Sequence, residues 1–228
     1  MRIVIATSKS WFLNNLESNF FSNSEILWIT EKAGLTSEVL TAHNPSYVFF
    51  PHWNWKIEKD IYENFKCVVF HTAPLPYGRG GSPIQNLILN GFESSPVNAL
   101  LVGPEIDAGD ILAARGVSLE GKLSDIFERI STVVEALIIE ILQNDPIPHP
   151  QIGEPHVFRR RRGGDNEIPI GPINIVSVYD YIRMLDAPEY PKTYIQHGNL
   201  VIEFSDAELI NGSVQALATF KINNTDNY

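Results

Sequence analysis

One histidine and one carboxylate in this chain are spaced as a proton-transfer pair. His71 follows the apolar run at residues 67–70, which is typical of a buried strand, and a loop rich in proline and glycine follows it. Asp107 lies in the segment 106–110, between two further strand-like segments. A carboxylate that approaches an imidazole orients the ring, selects its tautomer and makes it a better base near neutral pH. The pattern therefore predicts an enzyme in which His71 moves protons and Asp107 assists it.

Composition limits the class of protein. With 228 residues, 44% of them hydrophobic, the chain can bury a full core and suits one α/β domain with a smaller appendage. The single cysteine, Cys67, gives neither a disulfide framework nor a thiolate metal site. The first residues lack the pattern of a signal peptide and no apolar run reaches membrane-spanning length, so we expect a cytoplasmic protein without a membrane partner. The net charge of −10 argues against a general polyanion-binding surface, so we expect no nucleic-acid partner.

Strand-like and helix-like segments alternate through the first 145 residues. Apolar runs predict strands at residues 2–6, 25–30, 47–50, 67–70, 96–102 and 111–117, and helical spacing predicts helices at 11–21, 37–42, 59–65, 83–91 and 123–143. This order predicts an α/β fold with a Rossmann-like, mostly parallel sheet and helices on both faces. Because parallel strands bring their carboxyl ends to one crevice, we expect the predicted site there.

The remainder of the chain reads as a small appendage. Prolines cluster in residues 144–155 and indicate a boundary, so we predict a catalytic core at 1–145 and a C-terminal extension at 146–228. The extension contains a basic segment at 159–162, a predicted helix at 176–185 and a β-hairpin of residues 192–196 and 199–204 that turns at His197 and Gly198. The apolar tail at 214–221 is a further predicted strand and offers a homodimer surface.

The residues around His71 carry a resemblance to a known family. Leu75-Pro76, Arg79-Gly80 and Pro83-Ile84-Gln85 follow the histidine, and the acidic segment reads Ile-Asp-Ala-Gly-Asp. This pattern resembles the folate-dependent formyltransferase family, with a methionyl-tRNA formyltransferase-like core, in which the acidic segment reads Leu-Asp-Thr-Gly-Asp. Residues 181–191 are similar to the corresponding part of bacterial sugar-nucleotide N-formyltransferases.

The resemblance implies an activity and its substrates. It implies an N-formyltransferase that takes a formyl group from N10-formyltetrahydrofolate, as co-substrate, and places it on the amine of a nucleotide-linked amino-deoxy sugar, for bacterial surface glycan and lipopolysaccharide biosynthesis. The amine attacks the formyl carbon, His71 removes its proton and Asp107 stabilises the imidazolium. No serine or cysteine nucleophile and no metal is needed, and the six histidines show no ligand spacing.

One position departs from the family. The family has an asparagine two residues before the histidine, where it helps to hold the formyl oxygen, and this chain has Val69. Valine can neither donate nor accept a hydrogen bond, and the loss of one oxyanion donor costs ~10² to 10³ in rate. Asn54, just past the preceding strand, is the predicted substitute, ahead of Thr72, Asn86, Asn98 and His52.

Further site residues follow from placement and resemblance. The residues expected to bind the folate are Trp53, Trp55, Ile57, Leu101, Val102, Ile106 and Asp110. Those expected to bind the amine substrate are Thr72, Pro74, Tyr77, Gly78, Arg79, Gly80, Gly81, Arg183 and Tyr190. The four arginines at 159–162 are usually a solvated face, or on an acidic protein a contact for a pyrophosphate.

Three alternatives stay open, and one further class is disfavoured. A methionyl-tRNA formyltransferase uses the same core chemistry, but we expect it to have a longer C-terminal module and more positive charge. Glycinamide ribonucleotide formyltransferase generally lacks the Pro-Ile-Gln extension. A non-catalytic folate or nucleotide-sugar binding relative is motivated by Val69. An NAD-dependent Rossmann enzyme is disfavoured because residues 5–10 lack the glycine fingerprint.

Overall fold

A six-stranded sheet forms the centre of the protein in a computed structural model, which describes residues 1–9 and 24–223. The strands are β1 (Arg2–Ala6), β2 (Glu25–Ile29), β3 (Tyr47–Phe50), β4 (Cys67–Thr72), β5 (Tyr77–Gly80), β6 (Ser94–Leu101), β7 (Ile111–Ser118) and β8 (His156–Phe158). The central sheet has the order β2-β1-β3-β4-β6-β7, and β5 pairs with β8 outside it. β1 is parallel to β2 and β3, and β3 is parallel to β4. β6 runs antiparallel to β4 and places Asn98 opposite His71.

The inner strands are apolar on both faces. All four residues of β3 are buried, as are four of the five in β1. Strands covered on both sides lose the polar alternation of a half-exposed sheet and appear as continuous apolar runs. This is why the sequence identifies these strands directly.

Five α-helices are seen in the described residues: α1 (Ser37–His43), α2 (Lys59–Asn64), α3 (Pro83–Leu89), α4 (Leu123–Asn144) and α5 (Ile175–Arg183). The side chain of Thr36 accepts the amide of Val39 and caps α1. Pro83 opens α3, at a position where its missing N–H costs nothing. The long helix α4 buries an apolar face that consists of Ile126, Ile130, Val134, Leu137, Ile138 and Ile141.

The chain divides into two compact units, each made of three segments. The first contains the described parts of Met1–Gly80, Ser95–Val117 and Glu128–Val157. The second contains Gly81–Ser94, Ser118–Phe127 and the described chain from Phe158 onward. In the second unit, strands β9 (Thr193–His197), β10 (Leu200–Ile210) and β11 (Ser213–Ile222) form an antiparallel sheet in the order β11-β10-β9, and α5 packs on it.

The predicted fold class is confirmed: the fold is α/β, with a mostly parallel central sheet, helices and C-terminal strands. The predicted boundary at residues 145 and 146 falls inside the first unit, because the proline-rich segment turns back along it. The backbones of His149 and Ile111 exchange both hydrogen bonds, and His156 donates to the carbonyl of Pro76. The predicted division of function between the two parts of the chain stays a prediction.

Several boundaries differ from the prediction. β4 continues through Thr72, so His71 lies inside the strand and not on the loop after it. Leu200 pairs with His197, so the hairpin turns at Gly198 and Asn199. β10 and β11 are longer than predicted. The helix predicted at 11–21 and the last residues of the tail lie outside the described residues. Within the described ranges, no helix is long and apolar enough to cross a membrane.

Candidate active site

His71 sits near the carboxyl end of β4 with its ring held on both sides. The side chain is 7% exposed, and its Nε2 lies 2.7 Å from the carbonyl oxygen of Gly78. A carbonyl only accepts, so Nε2 carries the proton of the neutral ring and donates it there. Nδ1 is then the nitrogen with the free lone pair, and it lies 3.4 Å from Oδ2 of Asp107. The backbone of Gly78, rather than Asp107, therefore selects the tautomer.

Asp107 is presented by a tight turn between β6 and β7. Its backbone has φ 54°, a left-handed conformation in which aspartate is one of the few tolerated side-chain-bearing residues. A Cβ on Gly109 would lie 1.8 Å from the carbonyl oxygen of Leu101, so only glycine fits there. Oδ2 of Asp107 accepts the amide of Gly80 at 2.9 Å. The turn thus brings the two residues predicted as a proton-transfer pair together.

The glycine-rich strand β5 acts on this pair through its backbone. Gly78 and Gly80 have φ of 90° and 93°, which side chains rarely adopt, and they orient a carbonyl to His71 and an amide to Asp107. Both are predicted to contact substrate, and in the structure the carbonyl of Gly78 accepts from His71 and the amide of Gly80 donates to Asp107. Tyr77 stacks on His156 with ring centroids 4.8 Å apart. The role of β5 in substrate binding stays a prediction.

Arg79 and Gln151 form a second contact beside the pair. Nε and Nη2 of Arg79 donate to Oε1 of Gln151 at 2.9 and 2.7 Å. Nε2 of Gln151 donates to the backbone oxygens of Asp107 and Gly109 at 2.8 and 2.9 Å. Gln151 is not predicted from the sequence, because the proline-rich segment reads as a linker and a lone glutamine there carries no motif.

Val69 occupies the position of the family asparagine. Val69 lies two residues before His71 on the same strand, so both side chains project from the same face of the sheet. Asn98 donates to the backbone oxygens of His71 and Ala73, and Asn86 donates to three backbone oxygens within the second unit. Asn54 is exposed, and its amide meets no partner among residues 1–9 and 24–223. It remains the predicted substitute.

The residues predicted to bind folate fall into two groups. Ile57 belongs to an apolar cluster of the first unit, against which Trp53 and Val102 pack, and Trp55 contacts Trp53 edge-on with ring centroids 4.8 Å apart. Nε1 of Trp53 is buried and has no acceptor in the described part of the chain. The second group lies along the Asp107 turn: Leu101 donates its amide to the carbonyl of Asp110, and Ile106 is 75% exposed.

Other predicted substrate residues make mostly structural contacts. Thr72 is buried near the end of β4, and Pro74 accepts the amide of Tyr77. In the second unit, Arg183 donates to Asp180 and to the carbonyls of Leu119 and Gly121. Tyr190 packs on Phe127, and burial raises the pKa of its hydroxyl to about 12. A Cβ on Gly81 would lie 2.5 Å from Cβ of Arg160, so close packing explains that glycine.

The second unit contains a shallow pocket with an arginine at its wall. The pocket is about 440 Å³ and is lined by Arg161 and Tyr181, with Asp165 and Glu167. Arg161 lies over the ring of Tyr181 at 5.7 Å, and burial lowers the pKa of its guanidinium. Apart from Arg161, none of the residues predicted for the site lines this pocket.

No metal or thiolate chemistry is apparent near these residues. Among residues 1–9 and 24–223, no three histidine, cysteine or acidic side chains cluster as metal ligands. Burial raises the pKa of Cys67 to about 12, so its thiol is a poor nucleophile near neutral pH. The pair of His71 and Asp107 is therefore the chemical feature that the described structure supports best, and it suits proton transfer in an acyl transfer to an amine.

Several known proteins are similar to this chain in sequence and fold. Residues 164–223 match the family described as methionyl-tRNA formyltransferase, C-terminal domain. A solved structure of the methionyl-tRNA formyltransferase from Clostridium thermocellum is 42% identical, with a TM-score of 0.92 over 97% of this chain and 99% of that one. The methionyl-tRNA formyltransferase of Campylobacter curvus is 32% identical over 50% of this chain and 38% of its own length. HypX from Aquifex aeolicus, solved with tetrahydrofolic acid, has a TM-score of 0.73 at 19% identity over 91% of this chain and 38% of that one, and so shows the fold alone.

The fold, the paired side chains and these similarities define the class: the chain belongs to the formyltransferase family. It spans about a third to a half of the length of the curated relatives that it matches. The prediction of a nucleotide-linked amino sugar as acceptor, for surface glycan biosynthesis, is wrong, because the matching family model and these relatives are named for methionyl-tRNA. The same findings overturn the prediction that no nucleic acid is a partner.

Proposed function

We propose that the protein is a folate-dependent formyltransferase that formylates the amino group of methionyl-tRNA. The observation that carries the proposal is the 42% identity to the Clostridium thermocellum enzyme along nearly the whole length of both chains. The match of residues 164–223 to the C-terminal domain of the same class of enzyme supports the tRNA acceptor independently of the catalytic core.

The site geometry suits this reaction. The free amine attacks the formyl carbon and must lose a proton as the new C–N bond forms. Nδ1 of His71 takes that proton because Nε2 is already donating to Gly78. The resulting imidazolium donates to Gly78 and faces the carboxylate of Asp107, which stabilises its charge. His71 later returns the proton to the folate nitrogen as the donor leaves.

N10-formyltetrahydrofolate is the formyl donor in this proposal. Trp53 offers a buried indole N–H that has no acceptor among the residues that the structure describes, and a pterin ring carries nitrogen and carbonyl acceptors for it. Ile57 belongs to the apolar cluster against which Trp53 and Val102 pack. Planar ligands bind in such sites through apolar contact and a few directed hydrogen bonds. HypX, which was solved with tetrahydrofolic acid, has the same fold.

The arginines at 159–162 are the proposed contact for tRNA phosphates. Arg159 already pairs with Asp165 at 2.6 Å, and Arg161 stacks on Tyr181. Arg160 and Arg162 are exposed and form no side-chain ion pair with any described residue. A local basic segment can bind phosphates on a protein with a net charge of −10, since contacts within a Debye length dominate.

Formylation of methionyl-tRNA by the purified chain tests the proposal. The full chain is incubated with N10-formyltetrahydrofolate and charged initiator tRNA, and formylmethionine is quantified after tRNA hydrolysis. His71→Asn, which keeps a polar side chain without a base, should lower kcat about 10² to 10⁴-fold, the usual contribution of general base catalysis. Absence of formylmethionine with the wild-type chain, while folate binding is retained, would contradict the tRNA acceptor.

A further inference from the structure

We propose that Gln151 is a positioning residue that holds Asp107 against His71. Its kinetic test rests on the proposed function. Gln151 lies seven residues after the long helix α4, in the segment that carries few regular elements. It contacts neither member of the catalytic pair through their side chains. It binds the backbone that presents Asp107, and it binds Arg79 on β5, the strand whose Gly78 carbonyl accepts from His71.

All four hydrogen-bonding capacities of the Gln151 carboxamide are used. Its oxygen accepts twice from Arg79, and its two N–H groups donate to the backbone oxygens of Asp107 and Gly109. Arginine only donates and carbonyl oxygens only accept, so no other orientation of the amide satisfies these partners. With these contacts the Gln151 side chain is held in one orientation, and it holds Arg79 and the Asp107 turn in place.

These contacts join β5, Gln151 and the Asp107 turn into one hydrogen-bonded network beside His71 and Asp107. Within β5, the carbonyl of Gly78 holds Nε2 of His71 and the amide of Gly80 holds Oδ2 of Asp107. Arg79 lies between them and is bound to Gln151, which in turn binds the Asp107 turn. β5 and the turn are therefore tied together twice, once at the carboxylate and once through Gln151.

The Asp107 turn needs such support because its conformation is unfavourable. A left-handed aspartate costs free energy relative to an ordinary backbone, and it persists only where the surroundings fix it. If the turn relaxed, the Asp107 carboxylate would move further from Nδ1 of His71, which is already 3.4 Å from Oδ2. A displacement of about 1 Å in a catalytic group can cost ~10² in rate.

Three variants test this role: Gln151→Ala, Gln151→Glu and, as a control, Ile152→Ala at the neighbouring exposed residue. Gln151→Ala should lower kcat for methionyl-tRNA formylation about 10 to 100-fold and change the KM for folate by less than about threefold. Gln151→Glu keeps an acceptor for Arg79 but loses both N–H groups and sets a carboxylate against two carbonyl oxygens, so kcat should fall as far. Wild-type kcat in Gln151→Glu would overturn the proposal.

Hydrogen exchange at the amide of Gly80 gives a second readout that needs no acceptor substrate. This amide donates to Asp107, so in both Gln151 variants it should exchange at least about tenfold faster. The amide of Val102, which donates to Cys67, should keep its rate. Unchanged exchange at Gly80 would overturn the proposal even if methionyl-tRNA were not the substrate, whereas failure of the wild-type chain to formylate methionyl-tRNA would contradict the proposed function alone.

Discussion

At the scale of single residues, a backbone carbonyl assigns the two nitrogens of His71 to different tasks. In the proposed mechanism Gly78 occupies Nε2, so the amine proton transfers to Nδ1, on the side of Asp107. The position of Asp107 then affects the stability of the imidazolium that forms.

Asn54 is the residue whose removal tests the missing oxyanion donor. Asn54→Ala should lower kcat about 10² to 10³-fold, because an exposed amide near the end of β3 is lost as a donor to the formyl oxygen. The dissociation constant for folate should change little. Asn64→Ala, which removes an exposed amide that donates to the carbonyl of Asp60, is the matched control. A silent Asn54→Ala would place the oxyanion donor elsewhere.

The sequence predicts the residue types of the candidate site, but it does not predict their contacts. His71 and Asp107 were predicted from a histidine after an apolar run and an acidic turn with glycine, since both patterns are local. The roles of Gly78 and Gly80 depend on a carbonyl and an amide, which a sequence does not distinguish. Gln151 is 44 residues from Asp107, and nothing local marks it.

At the scale of elements, the end of α4 is fixed to the start of β3. Oδ1 of Asp145 accepts the hydroxyl of Tyr47 at 2.5 Å and lies 3.2 Å from Nζ of Lys66. The hydrogen bond from the Tyr47 hydroxyl, and to a lesser extent that from Lys66, holds the pKa of Asp145 below its usual value. A carboxyl whose pKa is lower when folded adds stability above its unfolded pKa, and that stability is lost as the pH falls through the folded pKa.

Asp145→Asn should therefore destabilise the protein in a pH-dependent way. At neutral pH the variant should melt at a lower temperature than the wild type. The difference should shrink as the pH falls below about 4, and it should be lost once the wild-type carboxyl is protonated. Thermal unfolding followed by circular dichroism across this range measures it. Glu63→Gln, which removes an exposed ion pair within α2, should show a smaller effect at neutral pH.

Elements with continuous apolar runs were predicted best. β1, β3 and the long helix α4 agree with the sequence to within a residue, because burial on both faces or on one helical stripe leaves a periodic signal. The proline-rich segment at 144–155 is harder to interpret. Proline removes the local signal of regular structure, yet the amide of His149 in this segment donates to the carbonyl of Ile111.

At the scale of the whole molecule, net charge misled the prediction about partners. The value of −10 sums charges that are too far apart to act on one phosphate, since their fields are screened over about 8 to 10 Å. Four consecutive arginines provide a local excess that survives pairing of Arg159 with Asp165. A composition-based argument excludes a broad basic surface and says nothing about a short basic segment.

The salt dependence of tRNA binding tests that segment. The double variant Arg160→Ala and Arg162→Ala should weaken binding of methionyl-tRNA and reduce the slope of log K against log salt by about 2, one unit for each lost phosphate contact. The double variant Lys32→Ala and Lys59→Ala removes the same charge from two other exposed sites, both beside glutamates. It should leave the slope unchanged, because net charge alone forms no phosphate contact. Equal slopes for both double variants would show that tRNA binds elsewhere on the protein.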